Sequence, residues 1–380
     1  MHEGPGPAGP GVTGPSAGWG GVCLVELELH DVRVFAEVTF RPDAEGLTVL
    51  TGPNGSGKTT ILEAIVFLGT HRSFRSADRD VMVRTGAERA IIRSRFEREG
   101  RPLTVESELA GGRAPRTLVN RRPATSRSAL AQAVPVTVFS PEDLAVVQGP
   151  PARRRDLLDT TLRLMDTRAA DDLDALERIL RQRAALLRQA GGRLSPEVAT
   201  TLDVWDTRLS ETGERVVLAR RALVADLGPE VLRAHADLTD GAGTEVVLRY
   251  RASWDGLLEH ALAERRGEDL RRGVSTVGPH RDDLGMALGD RDARVQASQG
   301  EQRSIALALR LAVHRLVTAR SHRAPILLLD DVFSELDPDR SRALVRHLPR
   351  GQAVLTTAAP LPEGADVAAV VDVRSLSVPR

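Results

Sequence analysis

A glycine-rich segment directly before a predicted helix contains the residues best suited to bind phosphate. Residues 52–59 read Gly-Pro-Asn-Gly-Ser-Gly-Lys-Thr and match the pattern G-x-x-x-x-G-K-[ST] at every fixed position. Glycine lets backbone N–H groups turn toward phosphate oxygens, and the following helix N-terminus favours the same negative charge. We expect Lys58 to contact the terminal phosphates of ATP and the Thr59 hydroxyl to bind Mg²⁺. The predicted ATP-binding residues are Gly52, Pro53, Asn54, Gly55, Ser56, Gly57, Lys58, Thr59 and Thr60.

Two adjacent aspartates follow an apolar stretch later in the chain. Residues 326–331 read Ile-Leu-Leu-Leu-Asp-Asp, which is typical of a buried strand that ends in a Walker B element. Asp330 is expected to hold Mg²⁺ together with Thr59, and Asp331 to orient the attacking water. Asp331 and Lys58 are therefore the predicted catalytic residues. The alternative, two carboxylates that only cap the next turn, is disfavoured because a phosphate loop lies in the same chain.

Two further polar segments have more than one interpretation. Ser298-Gln299-Gly300-Glu301 begins a strongly helical stretch, where free N–H groups and a hydroxyl suit an anion, although an ordinary helix cap looks the same. Gly278-Pro279-His280-Arg281-Asp282-Asp283 is polar and turn-rich. It fits a nucleotide or DNA contact and a hydrogen-bonded connector about equally well.

The periodicity of apolar side chains predicts the elements that must position these residues. Residues 47–50 form an apolar strand before the phosphate loop, and residues 59–68 continue after it as a helix. Three β-rich segments separated by turns at Gly100 and Gly111-Gly112 predict an antiparallel meander beside the loop. These three segments are residues 90–96, 103–109 and 116–119, and further strands are predicted at 25–29, 32–40, 134–139 and 352–357.

A helical region interrupts this α/β pattern. From residue 152 to about 227, apolar residues recur at helical spacing and strand signals are absent. Gly191-Gly192 and Pro196 separate two helical units, which indicates a helical hairpin or small bundle. One strand (246–250) and one helix (257–270) are predicted after it. We expect a helical arm of about 120 residues inserted into an α/β domain.

Length and composition limit the class of protein. The chain has 380 residues, enough for two domains, and 52 basic residues balance 52 acidic ones, so any nucleic-acid site must be a local patch. Cys23 is the single cysteine, which excludes an intrachain disulfide and fits a reducing, cytoplasmic location. No apolar run approaches the roughly 18 residues of a membrane span. The Gly- and Pro-rich residues 1–21 are predicted to be a disordered extension.

The meander is locally basic. Residues 89–127 contain ten Arg and four Glu, which favours contact with DNA phosphates, although a solvated strand face explains the same charges. The candidate DNA-binding residues are Arg93, Arg95, Arg113, Arg116, Arg121 and Arg122.

The order of these segments resembles the head of an ABC-type ATPase. Several exact stretches are similar to the RecF family of bacterial recombination mediators, over the chain from about Val22 to its end. Those stretches are Gly52–Thr59 with Leu62–Ile65, Phe139–Leu144, Gly278–Leu284, Ser298–Arg303 and Leu327–Asp337. The resemblance implies an α/β fold, an ABC-type ATPase head with a mixed sheet and an antiparallel meander around the phosphate loop, and an inserted helical arm domain. The expected divisions are an extension (1–21), the first part of the head (22–150), the arm (151–271) and the second part of the head (272–380).

The resemblance also implies a mechanism. In ABC-type heads two chains face each other, and the Ser-x-Gly signature of one chain closes over ATP bound to the other. Ser298, Gln299, Gly300 and Glu301 would then act in trans, and Ser334 and Asp337 would belong to the D-loop. The implied protein is a slow ATPase without chemistry on DNA, whose ATP-dependent homodimer, with ATP and Mg²⁺ as cofactors, clamps DNA at gaps or single-strand to double-strand junctions. It would help load RecA with RecR and RecO, and support replication-fork repair and SOS induction.

Three departures from the ABC pattern are visible. The second Walker B carboxylate is Asp331 instead of Glu, and the shorter side chain is expected to hold water less well and to slow hydrolysis. Thr356 and Thr357 stand where a switch His is usual. No Gln occurs at the Q-loop position near 139–143, so the residue that senses the γ-phosphate is not assigned.

Rival classes fit the sequence less well. A transporter ATPase subunit is expected to lack so large a helical insertion and to carry Leu-Ser-Gly-Gly-Gln, Asp-Glu and the switch His. An SMC-like structural ATPase needs hundreds of heptad residues, more than the arm supplies. A small-molecule kinase leaves Ser298–Gln302 without a role.

Overall fold

The computed structural model describes residues 21–76, 78–124, 126–241 and 243–376. The extension predicted at 1–21 lies, apart from Gly21, outside these residues. The strands are β1 (Val22–Val32), β2 (Phe35–Phe40), β3 (Leu47–Thr51), β4 (Arg89–Arg98), β5 (Arg101–Ala110), β6 (Arg116–Val119), β7 (Arg122–Pro123), β8 (Val136–Phe139), β9 (Val246–Arg251), β10 (Asp283–Leu288), β11 (Arg291–Asp292), β12 (Ile326–Asp330), β13 (Ala353–Thr356) and β14 (Val367–Asp372). The helices are α1 (Lys58–Thr70), α2 (Arg127–Ala133), α3 (Leu144–Gln148), α4 (Pro151–Met165), α5 (Thr167–Ala190), α6 (Pro196–Leu238), α7 (Leu258–Arg272), α8 (Ala293–Gln296), α9 (Gln299–Ser321) and α10 (Pro338–Arg346).

A parallel sheet carries the phosphate loop and the aspartate pair. Its strand order is β14-β3-β13-β12-β8, and every pairing is parallel. The strands are apolar on both faces, as expected for a sheet covered on both sides. Leu328 points into one hydrophobic cluster, and Leu327 and Leu329 point into the other, because side chains alternate along a strand. The loop after β3 and the carboxylates of β12 therefore leave the sheet at the same edge.

The predicted meander is confirmed as part of a six-stranded antiparallel sheet in the order β2-β1-β4-β5-β6-β7. Leu27 and Phe96 of this sheet share a buried cluster with Ile61 and Ile65 of α1. This packing fixes the helix that begins at the phosphate loop. It also brings the start of β2 against that loop. The Phe35 ring lies so close that a Cβ on Gly57 would collide with it.

The helical arm packs against the head. The hairpin predicted at Gly191-Gly192 is confirmed by α5 and α6, which end and begin on either side of it. Helix α6 does not end near residue 227, as the sequence pattern suggested, but continues past Pro229 to Leu238. Its last turns bury Val231 and Leu238 in one core with α9, and this packing offsets the cost of about 3 kcal/mol for an internal proline.

A three-stranded sheet, β11-β10-β9, lies between the arm and the second part of the head. The boundary predicted at 271/272 therefore separates two strands that pair with each other. Asp282, before β10, is fully buried and accepts hydrogen bonds from the Ser253 N–H (2.7 Å) and the Tyr250 hydroxyl. Burial lowers the pKa of His280 to about 4, and its Nε2 lies 2.9 Å from the Ser275 carbonyl oxygen. The Gly278–Asp283 segment is thus a hydrogen-bonded connector.

Among the described residues, no helix combines the length and the apolar character needed to cross a membrane.

One fully buried arginine joins three helices of the arm. Arg183 of α5 donates from Nε to Asp206 of α6 (2.7 Å) and from Nη1 to Asp269 of α7 (2.7 Å). The same Nη1 donates to Ser275 Oγ at 2.8 Å. Because neither Arg183 nor Asp269 has access to solvent, each charge depends on the other for stabilisation.

We expect Arg183→Ala to lower the free energy of unfolding by about 3–5 kcal/mol, since it leaves two buried carboxylates without this partner. Arg181→Ala, an exposed neighbour on the same helix, should change it by no more than about 0.5 kcal/mol. Chemical denaturation of both variants measures the difference. Equal stability of the two variants would contradict a structural role for the buried cluster.

Candidate ATP-binding site

The phosphate loop adopts the backbone that its glycines were expected to provide. Gly52, Gly55 and Gly57 have positive φ angles of 139°, 80° and 102°, in the region that favours glycine. Gly57 is also the N-cap of α1, so the loop leads directly into the positive end of that helix. The arrangement is the concave set of N–H groups that binds phosphate in other loops of this pattern.

The Lys58 ammonium group holds the loop closed. Its Nζ donates to the carbonyl oxygens of Gly52 (2.6 Å) and Pro53 (3.0 Å), and the residue is 8% exposed. A phosphate oxygen can replace either carbonyl as an acceptor, since an ammonium group has three donors. The ammonium therefore lies inside the loop, where the sequence pattern predicts that phosphates bind.

The Asp330 carboxylate connects the loop to the neighbouring strands. Its Oδ1 accepts hydrogen bonds from Thr59 Oγ1 (2.8 Å) and from Thr356 Oγ1 (2.7 Å). Burial raises the pKa of the Asp330 carboxyl, while the bonds from Thr356 and Thr59 act in the opposite direction. The structure thus brings together the two residues predicted to hold Mg²⁺.

Asp331 is held in an uncommon backbone conformation. Its φ is 47°, in the left-handed region, and its N–H lies 3.0 Å from both the carbonyl oxygen and Oγ1 of Thr356. Its Oδ1 is buried and has no hydrogen-bond partner among the described residues. A buried carboxylate oxygen without a donor is expensive, and a bound water is the simplest group that satisfies it.

These residues fit ATP with Mg²⁺. Thr59 and Asp330 offer the hard oxygen ligands that Mg²⁺ prefers, and Mg²⁺ in nucleotide sites is held by one or two such ligands, phosphates and water. The described residues contain no cluster of three or more His, Cys, Asp or Glu that could hold a metal without a nucleotide. The unsatisfied Asp331 oxygen adds a place for water beside them.

Two charged residues to which the sequence patterns assigned no role, Glu142 and Arg75, lie close to Asp330. The Coulomb interaction with Glu142 raises the pKa of the Asp330 carboxyl and that with Arg75 lowers it, although burial is the larger cause. Strand β8 pairs in parallel with β12 and aligns Phe139 with Leu329, so the residues after Phe139 lie beside Asp330. The pairing of β8 with β12, which the sequence of either segment alone does not reveal, is what places Glu142 near Asp330. The segment that lacks a Gln supplies a carboxylate.

The signature segment, which we define as residues 298–301, caps helix α9. The Ser298 N–H donates to Glu301 Oε2 (2.7 Å), and the Glu301 N–H donates to Ser298 Oγ (3.3 Å). These bonds, together with the Arg291 guanidinium, lower the pKa of Glu301 to about 2. Glu301 is therefore ionised, and the segment is a well-formed capping box.

The signature segment is separate from the loop of its own chain. Within the described residues, no hydrogen bond or ion pair joins residues 298–301 to residues 52–60. The predicted D-loop, residues 334–337, instead connects to the site through Ser334, whose Oγ donates to the Asp331 carbonyl oxygen at 2.8 Å. Asp337 caps helix α10 by accepting the Arg340 N–H at 2.9 Å.

The candidate DNA-binding arginines fall into two groups. Arg93 pairs with Glu106 (3.0 Å) and Arg95 with Glu26 (3.8 Å), so the central sheet face is largely neutralised. The other four are exposed and form no ion pair with a described carboxylate, at the edge of the sheet near β6 and β7; they are Arg113, Arg116, Arg121 and Arg122. The unbalanced positive charge therefore lies at that edge.

Comparison with known sequences identifies relatives over most of the chain. The family model described as "RecF/RecN/SMC N terminal domain" matches residues 23–359. The chain is 40% identical over 370 residues to the DNA replication and repair protein RecF of Beutenbergia cavernae, covering 88% of this chain and 93% of that protein. It is 40% identical over 352 residues to RecF of Streptomyces avermitilis, with the same two coverages.

Solved structures with the same fold include two of the recombination mediator protein RecF in the RecFOR pathway. The one described as RecF-ATPrS has a TM-score of 0.81 and 25% sequence identity. The match covers 94% of this chain and 99% of the chain in that structure. The one described as RecF-ATP has a TM-score of 0.82. An Smc head domain from Pyrococcus furiosus, at 16% identity and a TM-score of 0.50, shares the fold alone. The predicted fold, an ABC-type ATPase head with an inserted helical arm, is confirmed.

We expect Gly57→Ala to destabilise the ligand-free protein by about 1–3 kcal/mol more than Gly55→Ala. A Cβ at Gly57 would lie 2.3 Å from Phe35 Cζ, whereas nothing lies within 4 Å of one at Gly55. Both glycines have positive φ, so both variants carry backbone strain, and the contact with Phe35 is present at Gly57 alone. Chemical denaturation measures the difference, and equal stabilities would show that the Phe35 ring moves aside without cost.

Proposed function

Since the chain belongs to the RecF family of DNA replication and repair proteins, we propose that it is an ATP-dependent DNA clamp of recombinational repair. In this proposal ATP closes two chains into a dimer, and hydrolysis releases them. The observation that supports it most is the signature segment, which begins with exposed residues and, in the described part of the chain, forms no hydrogen bond or ion pair with the phosphate loop of its own chain.

ATP is proposed to bind on the loop of Gly52–Thr60, with Lys58 on the terminal phosphates. Mg²⁺ would be held by Thr59 and Asp330, and when bound it neutralises the charge of the phosphates. Asp331 orients the attacking water through its unsatisfied Oδ1. The aspartate is one methylene shorter than the usual glutamate, so we propose slow hydrolysis that times the release of DNA.

The partner chain is proposed to complete each site. Ser298 and Gly300 of one chain would contact the γ-phosphate held by Lys58 of the other, because they begin a 23-residue helix with its positive end exposed. Gln299 and Glu301 belong to this segment, and Asp337 is connected to it through Arg340. Ser334 is proposed to act with Asp337 in the D-loop. A two-fold dimer forms two such sites from the same surfaces.

DNA is proposed to lie across the dimer, with the arginines at the β6–β7 edge on its phosphates. The preferred substrates are gaps and single-strand to double-strand junctions, where the protein acts with RecR and RecO to load RecA and to support replication-fork repair and SOS induction. The support is the family membership and, for the RecFOR pathway, the description of the structural relatives. The proposed location is the cytoplasm.

Sedimentation of the purified protein tests the clamp. The protein is measured with and without ATP and Mg²⁺, each in the absence and presence of gapped DNA. We expect ATP to convert monomer to dimer and the dimer to sediment with DNA. A protein that stays monomeric while ATP is demonstrably bound would contradict the closure of one chain over the other.

We expect Lys58→Ala to lower ATP affinity by about 100-fold or more, because the charged donor to the phosphates is lost. Binding of a fluorescent ATP analogue measures the change. Thermal unfolding without nucleotide serves as the control, since the variant also loses two hydrogen bonds to loop carbonyls. If the variant bound ATP with wild-type affinity, Lys58 would not be a residue that contacts the phosphates.

We expect Ser298→Ala to leave ATP affinity of the monomer within about 2-fold of wild type and to raise the protein concentration needed for dimerisation by about 10–100-fold. Sedimentation with saturating ATP measures this concentration. Ser195→Ala is the matched control, because Ser195 caps α6 as Ser298 caps α9, with the same 3.3 Å bond to the helix backbone. Normal dimerisation of the Ser298 variant would contradict the role in trans.

A further inference from the structure

Arg340 lies where the signature segment meets the D-loop. Its Nη1 atom is 3.3 Å from the Gly300 carbonyl oxygen and 3.3 Å from Asp337 Oδ2. The Arg340 N–H also donates to Asp337 Oδ1 at 2.9 Å. One side chain therefore joins the first turn of α9 to the first turn of α10.

The contact with Gly300 is close. A Cβ at Gly300 would lie 3.1 Å from Arg340 Nη1, which is tighter than most contacts of a Cβ atom. The same Gly300 carbonyl oxygen accepts a hydrogen bond from Ser304 Oγ at 3.0 Å. Among the described residues, two side chains donate to this carbonyl, and of these the Arg340 guanidinium comes from outside α9.

Other bonds shape the signature segment without fixing its distance from the D-loop. The capping box joins Ser298 to Glu301, and Arg291 pairs with Glu301 at 3.0 Å. All of these partners are close in sequence, within residues 291–301. Arg340, by contrast, connects the signature segment to the first turn of α10.

The D-loop in turn leads back to the ATP site of the same chain. The Ser334 N–H and Oγ both donate to the Asp331 carbonyl oxygen, at 3.2 and 2.8 Å. A path therefore runs by hydrogen bonds from Asp331 to Ser334, along the backbone from Ser334 to Asp337, and by hydrogen bonds again through Arg340 to Gly300. It begins at the backbone of Asp331, in the chain's own nucleotide site, and ends at the segment proposed to face the partner's nucleotide.

We propose that Arg340 is a positioning residue that couples the two ATP sites of the dimer by fixing the signature segment relative to the D-loop. The inference rests on the ATP-driven dimer proposed above. A change at Asp331 is carried to the signature segment only if the two helices move together, and the Arg340 guanidinium forms a polar link between their first turns. Two-fold symmetry places the same path in both chains, so coupling is reciprocal.

The test compares Arg340→Ala with Arg342→Ala. Both arginines lie on α10 and pair with an aspartate three residues earlier, Asp337 and Asp339, but only Arg340 contacts the signature segment. We expect ATP affinity of the monomer within about 2-fold of wild type in both variants. We expect Arg340→Ala to raise the protein concentration for ATP-dependent dimerisation by about 10-fold, with Arg342→Ala unchanged.

Two further variants keep the test decisive. Arg340→Lys retains the charge but loses the fork that reaches two acceptors, so it should fold normally and show an intermediate defect. If Arg340 acts through the signature segment, the Ser298→Ala/Arg340→Ala double variant should dimerise no worse than Ser298→Ala alone. A loss equal to the product of the two single losses would overturn the inference, as would Arg340→Ala dimerising like wild type.

The outcomes separate this inference from the proposed function. If wild type dimerises with ATP and Arg340→Ala does so equally well, the clamp stands and the coupling role falls. If Arg340→Ala loses monomer ATP affinity as strongly as dimerisation, its role is structural and the inference also falls. If wild type itself stays monomeric with ATP bound, the proposed function fails first.

Discussion

The candidate ATP site depends on the hydrogen bonds that converge on the aspartate pair. Asp330 accepts from Thr59 at the start of α1 and from Thr356 at the end of β13, while Thr356 also accepts from the Asp331 N–H. These bonds join three elements that are distant in sequence. They also offset the cost of burying a carboxylate whose pKa is raised by that burial. The site exists because the parallel order β3-β13-β12 brings all three elements to one edge of the sheet.

The sequence predicted the parts of this site that depend on residue type within a single segment. The phosphate loop requires glycine where φ is positive, and the glycines at 52, 55 and 57 occupy those positions. The Asp pair follows a strand that is apolar on both faces, which is a strong signal for a buried parallel strand. The meander and the hairpin at Gly191-Gly192 were predictable for the same reason, because local periodicity and turn residues determine them.

The remaining parts depend on strand pairing and packing, which one segment does not contain. In the sequence, Thr356 stands out only because it replaces the usual His. In the structure its hydroxyl donates to the Asp330 carboxylate and accepts a hydrogen bond from the Asp331 N–H. Glu142 reaches Asp330 only through the register of β8 on β12. The continuation of α6 past Pro229 follows from a core shared with α9, and local propensity argues against it.

The end of α6 shows why the arm and the signature helix form one mechanical unit. Asp237 of α6 pairs with Arg315 of α9 (2.8 Å), and Asp240 pairs with Arg346 of α10 (3.2 Å). Apolar residues of α6 and α9 fill one cluster, and a packed core does not deform continuously. A displacement of the arm must therefore carry the beginning of α9 with it or break this core. Whatever binds along the arm thus acts on the same helix that carries Ser298 at its N-terminus, the residue that faces the partner chain in the proposed dimer.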